Sequence, residues 1–120
     1  MTETSPRAKD DCIFCRIVSG DVAASIVSES DDAIAFRDVN PKAPTHLLVV
    51  PRSHVSSMDD ATEADGLGDL LLFAAQVARE QGLSRRGYRI VINIGENGGQ
   101  TVEHLHLHVL GGRRLAWPPG

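Results

Sequence analysis

His104-Leu105-His106-Leu107-His108 is a run of five residues in which imidazole alternates with leucine, and it holds three of the chain's five histidines. A β-strand sends successive side chains to opposite faces, so this spacing predicts three imidazoles on one face, about 6.6–7 Å apart at the level of their Cα atoms. Leu105, Leu107 and Val109 then point the other way, into a core. A strand face that merely meets water is more often built from Thr, Lys, Glu or Ser. Three histidines and no other polar type point to chemistry. Imidazole titrates near neutrality, so one neutral ring can attack phosphorus while a neighbour donates a hydrogen bond to the phosphate oxygens.

Working outward from that run, the pattern predicts an α+β domain: an antiparallel sheet of about five strands with one short and one long helix. Asp11 is a candidate cap for a short helix through Ile13, Phe14, Ile17 and Val18, which Gly20 stops. Ser25 to Ser30, Ala33 to Asp38 and Thr45 to Val50 read as strands, with a proline-bearing connector, Val39 to Pro44, before the third. Thr62-x-x-Asp65 resembles a capping box. Leu67, Leu70, Leu71, Ala74, Ala75, Val77 and Ala78 follow at helical spacing, and Gly82 is the expected stop. Tyr88 to Ile94 and Leu105 to Leu110 read as the last two strands, on either side of the Gly95-Glu96-Asn97-Gly98-Gly99 turn. Residues 1–10 are read as a mobile polar tail and 11–120 as a single domain.

Composition excludes several classes. The chain has 120 residues, with 12 Lys+Arg against 16 Asp+Glu, for a net charge of −4, and 4% aromatic residues. A nucleic-acid polymer binder needs basic grooves and stacking aromatics, and this chain lacks both. One nucleotide, bound at a local site, remains compatible with it. The longest apolar run, Leu70 to Ala75, is too short for a membrane span, and the polar N-terminus does not read as a signal peptide. Cys12 and Cys15 stand only three apart, where a disulfide would barely constrain the chain. A reducing compartment or a metal site fits better, and a cytoplasmic location is expected.

The histidine run, followed by Val109-Leu110, resembles the histidine triad (HIT) motif. Ala35-Phe36-Arg37-Asp38-Val39, Ala43-Pro44-Thr45-His46, Val50-Pro51-Arg52-Ser53-His54, Asn93 with Gly98-Gly99-Gln100-Thr101, Gly111-Gly112-Arg113 and Trp117-Pro118-Pro119-Gly120 resemble the Hint branch of that family, in the family's order. The resemblance implies a homodimer, with the sheet extended across it, that cleaves the P–N bond of purine nucleoside phosphoramidates. It implies that His106 is the nucleophile of a nucleotidyl-histidine intermediate. His108 would contact the phosphate oxygens, and His46 would stand beside the nucleophile. It places Phe36 and Val39 around the base, Asp38 at the ribose, and Asn93, Gly99 and Thr101 near ribose and phosphate. Trp117 would reach the partner subunit's site. Thr101 stands where Hint proteins often carry serine. The hydroxyl is kept, and the added methyl bears on leaving-group preference.

Cys12-x-x-Cys15 has the spacing of half a zinc site. Some bacterial HIT proteins resemble this chain in completing such a pair with two histidines, which here would be His54 and His104. Four protein ligands leave no open position, so the zinc would be structural. The alternative is a pair of reduced, partly buried cysteines. No organic cofactor is expected. Arg113 and Arg114 read as a solvated charge pair. Three other functions compete with the phosphoramidase: a dinucleoside polyphosphate hydrolase, a nucleotide-binding interaction protein with incidental hydrolysis, and a metalloenzyme that uses the histidine run as ligands.

Overall fold

The computed structural model describes residues 11–120, so the expectation of a mobile tail over 1–10 lies outside the described residues. The elements run α1 (Ile13–Ser19), β1 (Ile26–Glu29), β2 (Ala33–Arg37), β3 (Thr45–Pro51), a short 3-10 turn (Met58–Asp60), α2 (Ala64–Glu80), β4 (Arg89–Val91) and β5 (Leu107–Gly111). The five strands form one antiparallel sheet in the order β1-β2-β3-β5-β4, as the α+β reading expected.

Both faces of the sheet are covered, which explains why β2 and β3 read as nearly unbroken apolar runs. On one face Ala33, Ala35, Leu47, Val49, Leu105, Leu107 and Val109 pack against Leu70, Phe73, Ala74, Val77 and Ala78 of α2. On the other face Ile34, Phe36, Leu48 and Val50 pack against Cys12, Phe14, Cys15 and Ile17 of α1. The sheet's alternation therefore assigns His46 and His108 to the α1 side. Their strands pair in a register that sets His46 opposite Leu110 and Leu48 opposite His108, which makes the two histidines diagonal neighbours on one face.

Several boundaries differ from the sequence reading. Cys12, not Asp11, is the N-cap of α1, and its Sγ accepts the Cys15 N–H at 3.3 Å. The predicted Thr62/Asp65 capping box does not form. Helix α2 starts after Glu63 with no side-chain cap, and Asp65 instead lies in the first turn, where a carboxylate suits the helix dipole. At the other end Gly82 does stop the helix. Its φ of 77° is left-handed, its N–H donates to Arg79 O, and the N–H of buried Leu83 donates to Ala78 O. Strand β4 is shorter than Tyr88 to Ile94.

Strand β5 begins at Leu107 instead of Leu105. Upstream of it the backbone is engaged elsewhere: Leu105 N–H donates to Val55 O at 2.6 Å, and His104 O accepts from the His106 ring. Those bonds replace the ladder. The alternation of side chains nevertheless persists, with Leu105, Leu107 and Val109 all in the α2-side core.

Candidate active site and metal centre

The ring nitrogens of this face have partners that determine where each proton sits. His106 Nδ1 lies 2.7 Å from the His104 carbonyl. A carbonyl only accepts, so Nδ1 carries the hydrogen and the neutral ring keeps its lone pair on Nε2. His46 Nδ1 instead accepts the Lys42 backbone N–H at 3.0 Å. Its hydrogen is therefore on Nε2, which lies 2.9 Å from His108 Nδ1 and 3.4 Å from Asp38 Oδ2. His108 Nδ1 thus accepts, and the His108 hydrogen is on Nε2. The rings of His106 and His108 stand 5.1 Å apart, centroid to centroid. Neighbouring rings thereby carry unlike groups, a bare lone pair on His106 and an N–H on His108.

The neutral states follow from burial. Desolvation lowers the pKa of His46 despite the opposing charge of Asp38. Desolvation, with help from the neighbouring His106 and His46, lowers His108 to about 4. Asp38, His46 and His108 offer ligand atoms within 4.8 Å of one another. A metal there would need the Nε2 lone pair of His46, and the Lys42 N–H on Nδ1 keeps a proton at that position. We therefore read this set as a hydrogen-bonded cluster.

A second cluster is built differently. Cys12 Sγ lies 3.3 Å from His104 Nδ1, Cys15 Sγ lies 3.3 Å from His54 Nδ1, and Cys15 Sγ lies 3.5 Å from His104 Nδ1. A tetrahedral ion with bonds of roughly 2.3 Å to sulfur and 2.0–2.1 Å to nitrogen sets its S and N ligands about 3.5 Å apart. The donor set and its spacing fit a metal ion. His104 Nε2 donates to Pro51 O at 2.9 Å, which leaves the Nδ1 lone pair facing the sulfurs. Burial lowers the His104 pKa to about 4, so that lone pair is not protonated near neutrality.

Phe14 ties the two clusters together. Its ring meets His104, His106 and Phe36 edge-on at centroid distances of 5.9, 5.1 and 5.6 Å.

The HIT domain model matches residues 19–115. This chain belongs to the HIT family. The chain is 50% identical over 113 residues to an uncharacterized HIT-like protein of Synechococcus elongatus, covering 92% of this chain and 98% of the other. Its fold matches the crystal structure of a HIT family hydrolase from Legionella pneumophila with a TM-score of 0.89 at 45% identity, covering 92% of this chain and all of that one. A histidine triad protein from Clostridium difficile matches with a TM-score of 0.87 at 41% identity, over 90% and 96% of the two chains.

Within this HIT domain, the residues expected from sequence fall into three groups. His46, His106 and His108 meet on one face, and Asp38 joins them through His46. Its other oxygen accepts the Asn40 N–H at 2.8 Å. Cys12, Cys15, His54 and His104 converge as a separate set. The third group makes no hydrogen bond to the imidazoles of either cluster among the described residues, although Phe36 packs in the same core as Cys12 and Cys15. Asn93 Nδ2 clamps its own loop by donating to Gly98 O at 2.7 Å. Gly99 is left-handed there (φ 81°), and Thr101 is exposed just beyond it. Val39 is 99% exposed and Trp117 81%, whereas Phe36 is buried behind Phe14.

Four participants escaped the sequence reading. The sequence offers Phe14 only as part of the apolar side of the short helix, and the Lys42 N–H and Pro51 O are backbone groups with no signature in the side chains. Arg113 is exposed, as the charge-pair reading expected, and its Nη2 also donates to Lys42 O at 2.9 Å, a bond the sequence does not signal. The Gly111-Gly112 pair before it is the one signal that the backbone turns sharply there. Arg89 is a related case. Its Nη2 donates to Leu115 O and Ala116 O at 3.3 and 2.9 Å and so holds the segment that carries Trp117.

A cleft on the α2 side of the sheet is lined by Asp31, Asp32, Asp60, Glu63 and Asp69. Arg52 also lines it, and five carboxylates against one guanidinium oppose a phosphate there.

Proposed function

We propose that this HIT protein is a nucleotide hydrolase that cleaves the P–N bond of purine nucleoside 5′-phosphoramidates. The observation that carries the reading is the pairing of unlike proton states: a lone pair on His106 Nε2 beside an N–H on His108 Nε2. In the first step His106 Nε2 forms a bond to phosphorus, the P–N bond breaks, and the leaving nitrogen takes a proton from solvent water and departs as the amine. Charge developing on the imidazole is met by the His104 carbonyl at Nδ1, and charge on the phosphate oxygens by the His108 N–H. In the second step water attacks phosphorus and gives a proton to solvent, the histidine–phosphorus bond breaks, nucleoside monophosphate is released and neutral His106 is regenerated. The similarity to a protein described as a HIT family hydrolase supports hydrolysis.

Asp38 is assigned to the ribose hydroxyls. A carboxylate offers about four acceptor positions, so the bonds to Asn40 and His46 leave room for a diol. Phe36 and Val39 are assigned to the base, Asn93, Gly99 and Thr101 to the ribose and phosphate, and Trp117 to a partner subunit's substrate. A homodimer is supported by the exposed apolar side chains of α2, Leu71 and Leu72, and by β4, whose sheet neighbour among the described residues is β5 alone. Cys12, Cys15, His54 and His104 are assigned to one structural zinc, which would tie α1 to the catalytic segment. No helix of the described residues is long and apolar enough to cross a membrane, and the proposed site of action is the cytoplasm.

The test is release of AMP from an adenosine 5′-phosphoramidate, with a transient AMP adduct on His106 detected by mass spectrometry. His106→Asn should abolish both and leave the circular dichroism spectrum unchanged. Turnover that survives in this variant sinks the mechanism. Faster cleavage of a P–O–P dinucleotide than of the phosphoramidate transfers the protein to the polyphosphate hydrolases.

A further inference from the structure

We infer that Arg113 is a positioning residue that sets the proton state of His46 and His108 from outside the site; the inference rests on the reading that these rings act on phosphate. Arg113 is exposed, yet its guanidinium bridges two carbonyls, Lys42 O at 2.9 Å and Arg114 O at 3.1 Å. The first bond spans 71 residues and pins the connector that supplies the Lys42 N–H to His46 Nδ1.

The connector is also held by the Asp38 N–H on His46 O at 3.0 Å, by Lys42 Nζ on Asn40 O at 3.1 Å and by the buried Ala43, while its Lys42 carbonyl is held by Arg113. Pro41 and Pro44 have no N–H, and the Asn40 N–H is engaged by Asp38 Oδ1. The far end is braced by Gly112, which is left-handed (φ 90°) and so close that a Cβ there would lie 2.8 Å from Pro44 Cβ. The exit from β5 and the connector are therefore built against each other, and Arg113 is the side chain that joins them.

The consequence is chemical. With the Lys42 N–H in place, the His46 proton is confined to Nε2 and the His108 proton to Nε2. Once the connector drifts, the His46 proton can occupy Nδ1. His46 Nε2 then accepts, His108 Nδ1 takes the hydrogen, and His108 Nε2 turns from donor into acceptor. It would then repel a phosphate oxygen. His106 is untouched, because its Nδ1–H is held by the His104 carbonyl.

Long-range 1H–15N spectra of the imidazoles at neutral pH test this on the full chain without substrate. Wild type should show His46 and His108 protonated on Nε2 and His106 on Nδ1. Arg113→Ala should give mixed tautomers at His46 and His108 with His106 unchanged. Arg113→Lys, which can still donate to Lys42 O, should restore the wild-type pattern. With a phosphoramidate, Arg113→Ala should lower kcat about tenfold, in keeping with one misplaced hydrogen bond, and leave KM within about twofold. Wild-type tautomers in Arg113→Ala overturn the inference. If wild type does not turn over phosphoramidates, the proposed substrate fails and the spectra still decide the role of Arg113.

Discussion

His104 faces two ways: its ring lies 3.3 Å from Cys12 Sγ, and its backbone carbonyl accepts the Nδ1–H of His106 at 2.7 Å. One residue thus belongs to the candidate metal centre by its side chain and to the candidate active site by its main chain. Anything that anchors the His104 ring also anchors the carbonyl that orients the proposed nucleophile. The zinc assignment therefore bears on catalysis although the ion would touch no substrate.

This link predicts that zinc supports both stability and turnover. Elemental analysis should find one zinc per chain. Chelation, or Cys15→Ala, should lower the thermal midpoint by on the order of 10 °C, as a loss of about 2–3 kcal/mol does in a chain of this size. Activity should decline in step with unfolding and return when zinc is added back. A full thermal midpoint in the presence of a strong chelator would remove the metal from the account.

Phe14 should be the core residue whose truncation is felt most directly at the site. It is 6% exposed and meets His104, His106 and Phe36 with its ring. Phe14→Ala should cost about 3–5 kcal/mol, the usual range for an aromatic removed from a core. Phe14→Leu should cost less and still lower kcat, since leucine fills volume without an aromatic edge against His106. Denaturant unfolding together with steady-state kinetics measures both effects. Unchanged kcat in Phe14→Leu would separate the ring contact from function.

Stability should fall on acidification over a defined window. His108 has a folded-state pKa of about 4 against 6.5 in the unfolded chain, and His46 is lowered too. Above pH 6.5 both states are neutral and the contribution is fully present. As the pH falls from 6.5 toward 4 the unfolded chain takes up protons that the folded chain refuses, so stability is lost. Thermal midpoints should be flat above about pH 7 and decline below 6.5, and the decline should be shallower in His108→Asn. Comparing the two proteins cancels the carboxylates and the metal ligands, which also titrate. Equal slopes in the two would contradict the burial of His108 as a neutral ring.

Much of this was readable from the chain. The alternation in the histidine run assigned Leu105, Leu107 and Val109 to the core, and all three are there. Gly20 and Gly82 marked helix ends because a left-handed residue is easiest for glycine. The start of β5 was missed, because pattern alone does not show that Val55 and the His106 ring take the backbone groups the ladder would use. The expected capping box did not form for a similar reason: residue types at the right spacing do not guarantee that the side chain turns inward. Arg113 is exposed as expected, but its bond to Lys42 O was not legible, because a surface arginine carries no mark of the carbonyl it reaches.

By itself the sequence determined which residue types share a face, since that follows from the period of a strand or helix and needs no knowledge of neighbours. It also supplied two separable sets of candidate metal ligands and candidate catalytic residues, sorted by spacing and by resemblance. Only the tertiary structure decided which nitrogen of each imidazole holds the proton. The two tautomers of a histidine are spelled with the same letter and differ little in energy in water. What separates them here is a carbonyl or an N–H brought close by the fold: His104 O for His106, and the Lys42 N–H for His46.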